Sequence, residues 1–79
     1  MDYVAVIEKA NDGSYSAYVP DLPGCVSCGD TIDEVRALIE EAVPLHLESL
    51  RQHGEEISKP TALTHIVHAG NWPQRGQRL

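Results

Sequence analysis

Apolar positions near the start of the chain follow a two-residue period. Residues 3–9, YVAVIEK, place Tyr3, Ala5 and Ile7 on one side of an extended backbone and Val4 and Val6 on the other. Such a strand is apolar on both faces and asks to be covered on both. Asn11-Asp12-Gly13 follows as a turn signal. Residues 14–20, SYSAYVP, then alternate cleanly, with Tyr15, Ala17 and Val19 opposing Ser14, Ser16 and Tyr18. The two runs predict an antiparallel hairpin. After a Pro-rich connection, Pro20 to Gly24, the neighbourhood of Val26 predicts a short third strand ending at Gly29.

The period then changes to that of a helix. Thr31 and Glu34 have the spacing of a capping box, in which the hydroxyl accepts from the N3 amide and the carboxylate reaches back to the cap amide. Asp33 and Glu34 also suit the positive end of the helix dipole. The helix is expected to run to about His53, with Gly54 as a left-handed stop. Ile32, Val35, Leu38, Ile39, Ala42, Val43, His46 and Leu50 fall on one stripe. Asp33, Glu40, Glu41, Pro44, Glu48 and Arg51 fall opposite. Pro44 removes a backbone donor and predicts a kink or a division there. Residues 61–68, TALTHIVH, read as a fourth strand, and residues 69–79 as a loose tail.

The expected fold is α+β, in the order β-β-β-α-β: one domain over residues 1–68, a small antiparallel sheet with one helix on one face. The other face, with Val4 and Val6, is left without a cover. A second protomer or another protein is therefore expected to pack there, making the chain a homodimer or larger homo-oligomer.

Length and charge narrow the partners. A chain of 79 residues is one small domain with a limited core. Nothing near the N-terminus resembles an export signal, and no apolar run approaches a membrane span, so a cytoplasmic protein without membrane contact is expected. All twelve acids lie in residues 1–56 against Lys9, Arg36 and Arg51, a net −9; residues 57–79 carry Lys59, Arg75 and Arg78, a net +3. An acidic body argues against a grip on nucleic-acid backbone. It suits a basic protein partner, or serves only to keep a small protein soluble.

Candidate chemistry is sparse. Cys25 and Cys28 form a CxxC, which can ligate zinc or carry thiol redox chemistry. His46, His53, His65 and His68 do not complete a standard finger spacing, and in a strand His65 and His68 would point to opposite faces. Redox chemistry would place the pair at a helix N-terminus after a βα unit, and here Cys28 precedes Gly29 and the cap. The plainer reading makes Cys25 a small buried apolar group and Cys28 incidental. Neither a nucleophile–base pair nor a phosphate-binding glycine loop is evident. Trp72 with Arg75 and Arg78 is thin support for a nucleic-acid tail. No catalytic residue, metal or cofactor is expected, and the protein is read as a non-enzyme.

The stretch DGSYSAYVPDLPGCVSCGDTIDEV closely resembles the signature of HicB-like antitoxins. It contains Gly13, Tyr15 and Ala17, then Pro20, Asp21, Leu22, Pro23, Gly24 and Cys25, then Gly29, Asp30, Thr31 and Glu34. Gly54, Ile57 and Pro60 resemble the family's exit from the helix. The resemblance covers about residues 3–60. On this basis Pro20 and Pro23 read as a fixed turn, with Gly24 and Gly29 available for positive φ. Cys28 lies outside the family pattern.

The resemblance implies a partial double-stranded-RNA-binding-like fold. It implies an antitoxin of a HicAB-type toxin–antitoxin system, which neutralises HicA, a small basic mRNA-cleaving toxin, by direct binding. Many members also carry a C-terminal DNA-binding module; 19 residues after Pro60 are too few for one, so operator DNA binding by this chain is not expected. The residues expected to meet the toxin are Tyr18 on the hairpin and Glu40, Glu41 and Glu48 on the outer helix face. The alternatives are a solitary HicB-like regulatory or ligand-binding domain without a toxin and, third, a zinc or thiol-redox protein.

Overall fold

The computed structural model describes residues 1–70. Its elements run β1 (Val6–Lys9), β2 (Tyr15–Tyr18), β3 (Val26–Gly29) and α1 (Ile32–Gln52). The three strands form one antiparallel sheet in the order β1-β2-β3. Register aligns Val6 with Tyr18 and Val26 in one cross-strand row, and Ile7 with Ala17 and Ser27 in the next. Because side chains alternate, the second row faces α1 and the first faces away.

The β1–β2 turn is built by its own residues. The Gly13 amide donates to the Ala10 carbonyl at 3.0 Å, and Gly13 takes φ +91°. A type I turn followed by a left-handed glycine is a favoured hairpin closure. Asp12 Oδ1 accepts from the Ser14 amide and hydroxyl at 3.0 and 2.6 Å.

The segment from Val19 to Cys25 consists of two turns sharing Leu22. The Leu22 amide donates to the Val19 carbonyl, and the Cys25 amide to the Leu22 carbonyl, each at 3.0 Å. Pro20 and Pro23 occupy the second position of each turn, where a preset φ is favourable. Gly24 has φ +87°, as a type II turn requires of its third position. The three corner residues, Val19, Leu22 and Cys25, all point into the core and are at most 2% exposed. The prolines and glycine hold a knuckle whose apolar corners plug the space between sheet and helix.

Helix α1 starts where the capping residues predict. Thr31 Oγ1 accepts from the Glu34 amide at 3.1 Å. The Glu34 carboxylate reaches one residue further back than a capping box would place it, accepting from the Asp30 amide at 2.8 Å. Gly29 is needed for this contact rather than for positive φ: a Cβ there would lie 2.7 Å from Glu34 Oε1 and 3.2 Å from the Val35 amide nitrogen. At the other end, Glu55 donates to the Leu50 carbonyl and Gly54 to that of Arg51, with Gly54 at φ +67°. That pair of bonds is a Schellman close.

Ala17, Val19, Leu22, Cys25, Val35 and Ile39 are the buried core. Tyr3, Ala5 and Ile7 from the first strand region and Ala42, Val43, Leu47 and Leu50 from α1 pack around it. Leu47 joins this face although the expected stripe omitted it. Ile32 and Leu38, expected within the stripe, are each 39% exposed.

Three expectations are corrected. Pro44 does not divide the helix, which is continuous through it. The proline lies on the exposed side, where water can serve the carbonyl its missing donor leaves free. The β1 ladder begins at Val6 rather than Tyr3. Finally, residues 61–68 form no strand. The amides of Thr61 and Ala62 donate to the Asp21 carboxylate instead of to a sheet edge. Leu63, Ile66 and Val67 beyond them are 93%, 81% and 80% exposed. The β-branched composition is present, but among the described residues no strand lies alongside to complete a ladder. Trp72, Arg75 and Arg78, and with them all but the first two residues of the expected tail, lie outside the described residues.

Candidate functional site

The two-layer architecture creates two surfaces of different character. On the open face of the sheet, Val6, Tyr18 and Val26 form the cross-strand row, with Val4 preceding Val6 on the same side. Tyr18 is 41% and Val26 63% exposed. Among the described residues nothing packs on this face. A contiguous apolar row on a small domain marks an interaction surface more often than a scattered exposed residue does.

The second surface is the outer side of α1. Glu41 and Glu48 are exposed there, and Glu40 is exposed on its flank, where it also lines a groove beside Tyr3 and Ala5. They differ in electrostatic availability. Glu48 is held by Arg51, one turn on, through a two-pronged contact at 3.1 and 2.5 Å. Glu40 and Glu41 have no ion-pair partner among the described residues. A basic partner would therefore feel these two charges more fully than that of Glu48.

Tyr18 and the three glutamates are not brought together. Ala17 and Val19, the neighbours of Tyr18, face the helix, so Tyr18 points to the opposite side of the sheet. The four residues singled out for a partner belong to two surfaces separated by the thickness of the domain.

The other motif residues serve the frame. Asp21 clasps the chain after the helix: Oδ1 accepts from the Thr61 hydroxyl at 2.6 Å, and Oδ2 from the Thr61 and Ala62 amides at 3.0 Å each. These donors, the Thr61 hydroxyl foremost, hold the Asp21 carboxyl below its ordinary 3.8. The Tyr3 hydroxyl donates to the Ser58 carbonyl at 2.5 Å and pins the same segment from the other side. The sequence carried a signal for half of this clasp, an aspartate inside a turn, and none for its partner 40 residues later.

The cysteines part company. Cys25 is 2% exposed in the core, and burial pushes its thiol up. Cys28 is exposed on β3, on the open side with Val26. One ion cannot draw on both without unpacking the knuckle. His53 is occupied at the helix end, its Nδ1 at 2.7 Å from the Ser49 carbonyl. Ser27, for which the sequence carried no signal, has its Oγ buried beneath the helix without a hydrogen-bond partner among the described residues.

A three-stranded antiparallel sheet with one helix on a face, entered through a double-turn knuckle, is the α+β architecture of the HicB type. The chain belongs to the HicB-like antitoxin family, described as antitoxins of bacterial toxin–antitoxin systems, whose profile matches residues 3–75. The N-terminal domain of the Burkholderia pseudomallei antitoxin HicB superposes with a TM-score of 0.64 at 32% identity, over 75% of this chain and 69% of that one. A UPF0150 protein of Thermoplasma acidophilum is 42% identical over 69 residues, covering 87% of this chain and all of that protein. An uncharacterised 14.9 kDa protein of Haemophilus phage HP1 is 40% identical over 68 residues; the matched region spans 86% of this chain and half of the phage protein. Among the described residues, no helix is long and apolar enough to cross a membrane.

Proposed function

We propose that this chain is the antitoxin of a HicAB-type pair, neutralising a basic HicA-type mRNA-cleaving toxin by direct, non-enzymatic binding in the cytoplasm. The observation that carries this reading is the match of fold and sequence to the antitoxin HicB domain, at 32% identity. The charge distribution supports it. A body with net −9 over residues 1–56 steers a cationic partner toward itself. Glu40 and Glu41 offer the unneutralised part of that charge on a rigid helix. The uncovered sheet face further supports a homodimer or larger homo-oligomer as the working form.

The test is an RNA-cleavage assay on a purified HicA-type toxin encoded with this chain, run with and without the protein. Cleavage abolished at stoichiometric amounts of the protein supports neutralisation by binding. Cleavage that continues at saturating amounts overturns it, and leaves a solitary HicB-like regulatory or ligand-binding domain as the reading to pursue.

A further inference from the structure

We infer that residues 63–68 of one copy add as a fourth strand to the free edge of β1 in a second copy, and that the same exchange runs in the other direction. The inference rests on the homo-oligomeric reading above and not on the identity of the toxin.

The edge comes first. Among the described residues β1 is an outer strand of the sheet, paired to β2 on one side only. The ladder of β1 ends on the charged Glu8 and Lys9, but the run that leads into it, Tyr3-Val4-Ala5-Val6-Ile7, has no charge or proline to discourage pairing and is apolar on both faces. Natural edges are usually guarded by such devices, and strands apolar on both faces usually lie inside a sheet. α1 makes its main contacts with β3 and β2, so it does not roof this edge. What remains between the first strand region and the helix is a groove of about 260 Å³, lined by Tyr3, Ala5, Val19, Ile39 and Val43, with Asp2 and Glu40 also lining it.

The segment matches. Leu63, His65 and Val67 fall on one side of an extended chain and Thr64, Ile66 and His68 on the other. Leu63 and Val67 suit the groove, with His65 between them near the two acids. Ile66 on the opposite side extends the open-face row begun by Val4 and Val6. Both faces of the incoming strand thus meet what both faces of residues 3–7 offer. Charge agrees at longer range: residues 57–79 carry +3 and residues 1–56 carry −9.

A second copy, rather than the same chain, is the occupant. Tyr3 holds Ser58, and Asp21 holds Thr61 and Ala62, so the segment is pinned across one end of the sheet. Beyond those pins it stands away from its own body, with Leu63, Ile66 and Val67 at least 80% exposed. A small domain that cannot bury these groups alone gains by mutual exchange, and the reciprocal contact closes as a two-fold dimer.

Sedimentation equilibrium of the full chain, with far-UV circular dichroism alongside, tests this. The wild type is expected as a dimer or an assembly of dimers of the 8.7 kDa chain. Val67→Pro removes a ladder donor, and Leu63→Glu carries a charge into an acidic groove. Leu63 and Val67 lie outside the core cluster, so the helical part of the dichroism stays unchanged. Each change occurs twice per dimer, and the dissociation constant should rise by about tenfold or more. A monomeric wild type overturns this inference and the homo-oligomeric reading together. A dimer indifferent to both changes overturns this inference alone and returns the interface to the open sheet face. Neither result bears on RNA-cleavage inhibition, which tests the antitoxin reading separately.

Discussion

Asp21 and Thr61, 40 residues apart, meet through Oδ1 and Oγ1 at 2.6 Å, and the same carboxylate takes the amides of Thr61 and Ala62. The turn that ends β2 is thereby tied to the segment that leaves the helix. Three donors converge on one carboxylate, and this is why its charged form is favoured.

Acid should loosen that clasp. The folded pKa of Asp21 is depressed below its ordinary 3.8, so its contribution is fully present above that value and is lost as pH falls through the folded pKa. Asp12, held by Ser14, behaves in the same direction. Thermal unfolding followed from about pH 6 to about pH 2 should show Tm falling in the acid limb. Asp21→Asn should flatten part of that fall and speed amide exchange at Thr61 and Ala62. An acid limb unchanged by Asp21→Asn would mean the clasp contributes nothing to stability.

Gly24, just before β3, and Gly29, its last residue, should fail for different reasons. Gly24→Ala forces an alanine into φ +87°, at a cost of about 1–2 kcal/mol, while the new methyl meets only an ordinary van der Waals neighbour, His46 Cε1 at 3.8 Å. Gly29→Ala strikes Glu34 Oε1 and displaces a capping carboxylate, costing about 1 kcal/mol. In a Glu34→Ala background the Gly29→Ala cost should shrink, whereas that of Gly24→Ala should not. Urea unfolding of the two double-mutant cycles reads the difference.

Leu22 is the corner of both turns and is 1% exposed. Leu22→Ala should destabilise the domain by about 3 kcal/mol. For a chain of this size that is a large share of the total stability. Guanidinium unfolding that gives a loss below about 1 kcal/mol would show that the knuckle is not anchored as described.

Charge reversal should separate the two surfaces. Glu40→Lys with Glu41→Lys should weaken toxin binding markedly and mostly through the association rate. Glu48→Lys should have less effect, because Arg51 already neutralises that position. Tyr18→Ala reports on the opposite face and should leave the toxin association rate near wild type. Surface plasmon resonance at two salt concentrations measures all three, and equal effects at Glu40, Glu41 and Glu48 would contradict the electrostatic ranking.

Much of this fold is written in short-range signals. Asn11-Asp12-Gly13 closes a hairpin by local turn geometry, Thr31 and Glu34 start the helix, and Gly54 stops it. Each is decided by residues within about four positions, so the sequence alone determined them, together with the α+β order and the family signature from Gly13 to Glu34. What depended on distance was decided only by the tertiary structure. Thr61-to-His68 has strand composition, yet a strand exists only where an edge completes its hydrogen bonds, and in one chain the Asp21 carboxylate takes the first two amides instead. Periodicity puts Tyr18 on the outward side of β2 and the glutamates away from the apolar stripe of α1; only the packing of helix on sheet turns these sides in opposite directions. Local chemistry specified the elements, and the placement of one element against another specified the surfaces.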